Sequence, residues 1–341
     1  MDRPGIRRTA MAAAMFASSF ACIVPLASAF DAPPSKTVDT RLQQALDALA
    51  QRARPGMLGV AVLDLQSGAE ARVHAEQAYP MMSVFKAPVA AAVLSAIDEG
   101  RLSLQQQVTV NREDVLDGSA VPSIGAHFRG EHMTFTIEQL LKAAVSESDN
   151  TAVDALVKAV GGPQAVTAFL RAHGIDGMRV DMDEAGVHRV FQHLQPGQAA
   201  PANESEQAAS ERYRRGYQAY LDDPRNRSTP DAAVLFLRKL VGQELLTQAS
   251  THYLLDLMAA QTIPNRLRAG LPQGVRLADK SGSSGSLEGR TAAYNDIGVI
   301  SWPDGHTVIV AAFLTDSTAS TAARDAWFAD IARAVVAATR P

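Results

Sequence analysis

Three short stretches of this chain carry residue types that could do covalent chemistry together. The first is Ser83-Val84-Phe85-Lys86. A serine opening a helix has its hydroxyl beside unpaired backbone N–H groups and the positive end of the helix dipole. A lysine three residues on lies on the same face, one turn away. Burial depresses a lysine pKa, and the neutral amine can then draw a hydroxyl proton. The apolar flanks Met81, Met82, Phe85, Ala87 and Val89 speak against a solvated lysine. As local pattern alone, a helix cap followed by a surface lysine fits the same four residues.

The second stretch is Ser148-Asp149-Asn150. A serine can pass a proton, an asparagine offers both a donor and an acceptor to an amide, and the aspartate is placed to fix the local loop. All three types are also favoured at a helix N-cap. The third is Lys280-Ser281-Gly282, at the end of the apolar strand Val275 to Asp279. With Ser283 and Ser284 it offers a cation, hydroxyls and a flexible edge to an anionic ligand. An ordinary Gly/Ser turn has the same composition.

The patterning predicts the elements that must hold these groups. Ser83 to Gly100 is apolar almost all round and predicts a buried helix, with Pro88 tolerated in its first turns. Phe135 to Val145 and Thr151 to Val160 predict two helices, with Ser146 to Asn150 as the polar break between them. Helices are also predicted over 40–52, 231–241, 247–260 and 322–339. Strands are predicted over 59–65, 71–74, 275–279, 296–302 and 307–314, the last two joined by the turn Pro303-Asp304-Gly305. The order is helix, strands, many helices, strands, helix. It predicts an α+β fold: an antiparallel sheet built from both chain ends, flanked by helices and joined to a helical subdomain. The α/β part covers about 40–80 and 231–341, and the helical part about 81–230. Residues 181–230 are rich in polar and chain-breaking types, and Gln195 to Ser210 reads as a surface insertion.

Taken in order, S-x-x-K on a buried helix, S-D-N at a helical break and K-[ST]-G on a late strand resemble the pattern of class A serine β-lactamases and penicillin-binding proteins. The resemblance runs from about Thr40 to Thr339. It implies the serine β-lactamase/transpeptidase-like fold and hydrolysis of the β-lactam amide of penicillins and cephalosporins, hence antibiotic resistance. It further implies a role for each residue. Ser83 attacks the lactam carbonyl, Lys86 helps activate it, and Ser148 hands a proton to the leaving nitrogen. Asn150 holds the substrate's side-chain amide. Lys280, Ser281 and Ser283, with Gly282 between them, bind its carboxylate. The backbone N–H groups of Ser83 and Ser283 form the oxyanion hole.

Where the resemblance requires a deacylating base, the family pattern E-x-x-L-N is met best by Glu184-Ala185-Gly186-Val187-His188. Glu184 is then the base and His188 stands where an asparagine usually assists the water, as in an extended-spectrum branch of the family. The segment resembling the end of the family's loop, Asp223-Pro224-Arg225, comes much later here, which implies an insertion at about 190–221. Glu204, Glu206 and Glu211 within it are rival bases. The usual carboxylate-binding arginine is replaced by Asp296-Ile297-Gly298, and Arg266 is the candidate substitute.

Composition bounds the rest. At 341 residues, 47% hydrophobic and 20% charged, the chain has globular composition. Residues 1–29 read as a signal peptide: Arg3, Arg7 and Arg8, an apolar run, then Ala27-Ser28-Ala29. The resulting protein, 30–341, is periplasmic or secreted. It has no cysteine, because Cys22 is the only one. Cysteine catalysis and thiolate metal sites are thereby excluded. Net acidity argues against nucleic-acid binding. His127/His132 and His188/His193 lack zinc-type spacing, so no metal and no cofactor is expected. A monomer without a membrane anchor is the default. The competing functions are a penicillin-binding D,D-peptidase, which shares these motifs but is trapped by penicillin, and a non-catalytic β-lactam sensor.

Overall fold

In the computed structural model, residues 39–117, 119 and 123–339 are described. The proposed signal peptide and Cys22 lie outside them. The elements run α1 (Thr40–Arg52), β1 (Met57–Asp64), β2 (Glu70–Val73), β3 (Tyr79–Pro80), α2 (Lys86–Asp98), β4 (Gln107–Asn111), α3 (Ile124–His127), β5 (His132–Thr136), α4 (Ile137–Ser146), α5 (Asn150–Val160) and α6 (Pro163–Ala172). They continue with α7 (Glu184–Phe191), α8 (Glu206–Asp222), β6 (Arg227–Ser228), α9 (Pro230–Val241), α10 (Gln248–Ala259), β7 (Arg276–Ser283), β8 (Ser286–Leu287), β9 (Arg290–Ser301), β10 (Thr307–Ser317) and α11 (Thr321–Thr339).

The fold is α+β, as expected. The main sheet has the order β2-β1-β10-β9-β7, every pairing antiparallel, with β8 attached to β9. Its strands therefore come from both ends of the chain. One hydrophobic cluster lies between the sheet and α1 and α11, through Leu46, Leu58, Val310 and Phe328. A second surrounds α2 and joins it to α4, α5, α9 and α10. Ala87, Ala90, Ala91, Val93 and Leu94 of α2 are all buried, so this helix is apolar on every side because it is packed on every side. Among the described residues no helix is long and apolar enough to cross a membrane.

Three local expectations need correction. The helix expected from Ser83 begins at Lys86; Met82–Phe85 form a 3₁₀ turn in front of it. The strand expected to end at Asp279 continues through Ser283, because β9 pairs with it from Arg276↔Ser301 to Ser283↔Tyr294. The last correction concerns the segment read as breaker-rich: residues 206–222 are a 17-residue helix. Ser205 caps it by accepting from Ala208 N, and Tyr213, Tyr217 and Tyr220 recur on one face against Phe191. Most of the other charged residues of α8, such as Glu206, Glu211, Arg214 and Arg215, are exposed, so composition alone concealed its periodicity.

Candidate active site

Ser83 sits in the 3₁₀ turn with its backbone against β7. A Cβ on Gly282 would lie 2.6 Å from Met81 O and 3.0 Å from Ser83 N, so only glycine allows this approach. Asn295 on β9 secures the same turn, donating from Nδ2 to Pro80 O at 2.8 Å and Met81 O at 3.0 Å. Met82 is left-handed at φ 46°, a strained conformation of a kind that clusters at active sites.

Lys86, one turn along, is fully buried. Its Nζ donates to Ser148 O at 2.7 Å and Asn150 Oδ1 at 2.7 Å, and lies 3.4 Å from Ser148 Oγ and 3.5 Å from Glu184 Oε1. Burial pulls its pKa down, while the carboxylates of Glu184, Asp149 and Asp154 oppose that pull.

Ser148 and Asn150 come from the break between α4 and α5. Asp149 caps α5 by accepting from Ala152 N at 2.7 Å. Ser148 is held left-handed at φ 57°, with its hydroxyl directed at two lysines. The second is Lys280, whose Nζ donates to Ser148 Oγ at 3.1 Å, Gln261 Oε1 at 3.1 Å and Ser281 O at 3.1 Å. Burial first, and then the charge of Lys86, push the Lys280 pKa down to about 7.

Glu184 opens α7. Its backbone N–H and that of Ala185 donate to the two oxygens of Asp154, at 2.7 and 2.9 Å. Burial and neighbouring Asp183 push the Asp154 carboxyl up to about 8, against the pull of those two donors. His188 is exposed on α7, one turn beyond Glu184.

One cavity of about 420 Å³ is lined by Asn150, Glu184, His188 and Ser283 among others. Of the other expected site residues, Lys86, Ser148, Lys280, Ser281, Gly282 and Arg266 are buried and Ser83 is half-buried. Ser281 is buried, its hydroxyl donating to Gln261 Oε1 at 3.0 Å. Arg266, left-handed at φ 62°, is also buried. Its guanidinium donates to Asn295 O at 2.7 Å and lies 4.1 Å from the Tyr294 ring centre. The rival carboxylates are directed elsewhere: Glu204 binds Arg212, while Glu206 and Glu211 are exposed.

Sequence reasoning missed Gln261 and Asp154. Gln261 accepts from Lys280 and Ser281 and donates to Asp279. Each is a single polar residue in an unremarkable local context. Among the described residues no group of three or more His, Cys, Asp or Glu could hold a metal ion.

Comparison with known proteins places this geometry in context. The model of a family described as the beta-lactamase enzyme family matches residues 41–339. The chain is 35% identical to the extended-spectrum beta-lactamase PER-1 of Pseudomonas aeruginosa, over 75% of this chain and 73% of that protein. A solved beta-lactamase from Chitinophaga pinensis superposes with a TM-score of 0.73 at 30% identity, covering 88% of this chain and 99% of the other. The reconstructed ancestral class A beta-lactamase of Gram-negative bacteria gives 0.69 at 36% identity, over 87% and 99%.

Proposed function

Since the chain belongs to the beta-lactamase enzyme family, we propose that it carries out hydrolysis of the β-lactam amide, the activity behind β-lactam resistance, through an ester on Ser83. The observation that carries this assignment is the convergence on Lys86 Nζ of Ser148 and Asn150 from the α4–α5 break and Glu184 from α7, one turn from Ser83.

The reaction follows from these contacts. The Ser83 hydroxyl attacks the lactam carbonyl as its proton passes to Lys86, whose neutral form burial favours. The N–H groups of Ser83 and Ser283 stabilise the oxyanion; losing one such donor typically costs about 10²–10³ in rate. As the C–N bond breaks, Ser148 protonates the leaving nitrogen and is reprotonated from the lysines on either side of it. Lys280 supplies the cation for the substrate carboxylate, Ser281, Gly282 and Ser283 frame it, and Arg266 reinforces the positive potential from behind β7. Glu184 then takes a proton from water as that water attacks the ester, and His188 helps to orient the water. Product acid leaves and Ser83 regains its proton.

Export by cleavage near Ala29, release of residues 30–341 as one catalytic domain, and action as a monomer complete the reading.

The test is turnover of a chromogenic cephalosporin with intact mass followed during the reaction. Parent enzyme turns over many times. Glu184→Gln acylates once on Ser83 and releases product about 10²–10⁴-fold more slowly. A parent that stops at one adduct is a penicillin-binding or sensor protein, and a Glu184→Gln variant with parental turnover removes Glu184 as the base.

A further inference from the structure

One buried amide joins the end of α10 to the strand that carries Lys280. Gln261 lies just past α10 and is buried. The chain fixes it from both sides. Gln261 N–H donates to Met258 O at 3.2 Å, Thr262 N–H donates to Ser146 O at 3.4 Å, and the Ser146 hydroxyl donates to Leu257 O at 2.8 Å. The end of α10 is thereby tied to the end of α4, just before Ser148.

The Gln261 side chain is oriented by charge. Its Nε2 donates to one oxygen of Asp279, whose other oxygen accepts from Arg268. Oε1 is left facing β7, where it accepts from Lys280 Nζ at 3.1 Å, Ser281 N at 3.2 Å and the Ser281 hydroxyl at 3.0 Å. Turned over, the amide would set its oxygen against a carboxylate and its NH₂ against donors, so one orientation is enforced. An amide oxygen has two lone pairs, and here it meets three donors. The Ser281 N–H is fixed by the strand, and Lys280 Nζ is also bonded to Ser148 Oγ and Ser281 O. The hydroxyl alone can rotate, so it is the donor that an incoming anion draws away at least cost.

We propose that Gln261 is a positioning residue for the substrate's carboxylate: through its amide oxygen it holds the Lys280 ammonium and the Ser281 hydroxyl where that carboxylate is received. The proposal rests on the Ser83 hydrolase reading and adds to it a residue outside the three motifs. Gln261 acts through Lys280 and Ser281, not on the reacting atoms. It also bears on charge, because an acceptor favours the ammonium form. Burial, Lys86 of α2 and Arg266 oppose that form, Asp279 of β7 and Asp296 of β9 support it, and the balance stands at about 7.

The experiment measures kcat and KM of the full chain and of Gln261→Met on benzylpenicillin and on its methyl ester, in which the carboxylate has lost its charge. Methionine keeps the length of the side chain and loses its amide. On the acid, KM should rise about tenfold while kcat changes less than about threefold, because the lost interaction is made in ground and transition state alike. On the ester, kcat/KM should change less than about twofold. The fall in kcat/KM on the acid that Lys280 imposes as pH rises through about 7 should move to lower pH in the variant, because its ammonium has lost an acceptor. Where the ester reacts too slowly for turnover, adduct formation followed by intact mass gives the same comparison. Equal losses on acid and ester, or an unchanged KM on the acid, overturn the proposal. Thermal melting checks the fold, and Gln261→Asn, one methylene too short to reach both β7 and Asp279, replaces the methionine variant should that fail to fold. A parent inactive on the acid defeats the hydrolase reading itself, an outcome distinct from an active parent whose variant does not tell acid from ester.

Discussion

The two sides of the cleft are built on different terms. On the α2–β7 side, Lys86 and Lys280 are 0% exposed and Ser148 is 3% exposed. Each is bonded to several partners, drawn from segments as far apart in sequence as Lys86 and Lys280. On the α7–α8 side the polar groups are fewer: Glu184 is tied through its backbone to Asp154, and His188 is exposed. That side is held by a stack of four aromatic rings, a backbone contact at Gly216, and Arg212, which donates to Gln192 and pairs with Glu204. A buried cationic network tolerates almost no change, because each charge left without its partner carries a desolvation penalty. An aromatic wall can be trimmed or extended at a cost in packing alone. On the proposed mechanism acylation draws on the first side, and deacylation draws also on Glu184 of the second.

The largest effect should follow from attacking the buried side. Lys280→Ala removes a cation bonded to Ser148 and Gln261 and should lower kcat/KM about 10- to 100-fold on every β-lactam. Its pH dependence has a defined sign. Lys280 is cationic below its pKa of about 7 and neutral above it, so attraction for an anionic substrate is present at low pH and lost as pH rises through that value. Lys86, whose depressed pKa frees the amine as pH rises, acts in the opposite direction. Lys280→Arg separates the two, since an arginine stays charged. The ratio of parent to Lys280→Arg kcat/KM should fall between pH 6 and pH 8.5. A flat ratio removes Lys280 as the titrating cation.

These two sides were also unequally legible. Ser83, Lys86, Ser148, Asn150 and Lys280 stand in short motifs, and the apolar runs beside them marked α2 and β7. Their partners did not stand out. Gln261 lies 19 residues from Lys280 and Asp154 lies 30 residues from Glu184, and no local pattern marks a lone polar residue that is buried only once the chain has folded. The α8 helix failed for another reason. Its Tyr213, Tyr217 and Tyr220 have helical spacing, but the Gln, Ala and Glu residues before them dominated the composition. The sheet was read correctly in kind and too short in extent, because Lys280 and Ser281 are polar residues buried inside a strand, where alternation gives no guidance.

A middle-sized effect should come from the joint between α7 and α8. Gly216→Ala places a methyl group into Phe191 O, and overpacking of this kind costs about 1–3 kcal/mol. The melting temperature should drop by several degrees, measurable by calorimetry. Acylation, followed by mass in the first turnover, should keep its parental rate, because α2 and β7 are untouched. Release of product should slow. Were acylation to fall as far as release, the two sides would be mechanically one unit and the division drawn above would fail.

The smallest effect tests what holds the wall to β9. Arg214 and Glu288 form an ion pair at 2.7 Å across the gap between α8 and the turn before β9, with side chains 51% and 63% exposed. So open a pair contributes little to stability and is screened by salt. The Tyr217 hydroxyl spans the same gap from a buried residue, donating to Arg290 O at 2.6 Å. The energetic weight therefore belongs to Tyr217. Arg214→Ala should change the melting temperature by no more than about 2 °C and leave the rate of product release unaltered, at both low and high salt. Tyr217→Phe, which removes only the hydroxyl, should shift both quantities further. If Arg214→Ala instead slows release as strongly as Gly216→Ala, and salt reproduces the change in the parent, surface charge rather than aromatic packing holds α8 in place, and the contrast between a charged side and an aromatic side of the cleft is lost.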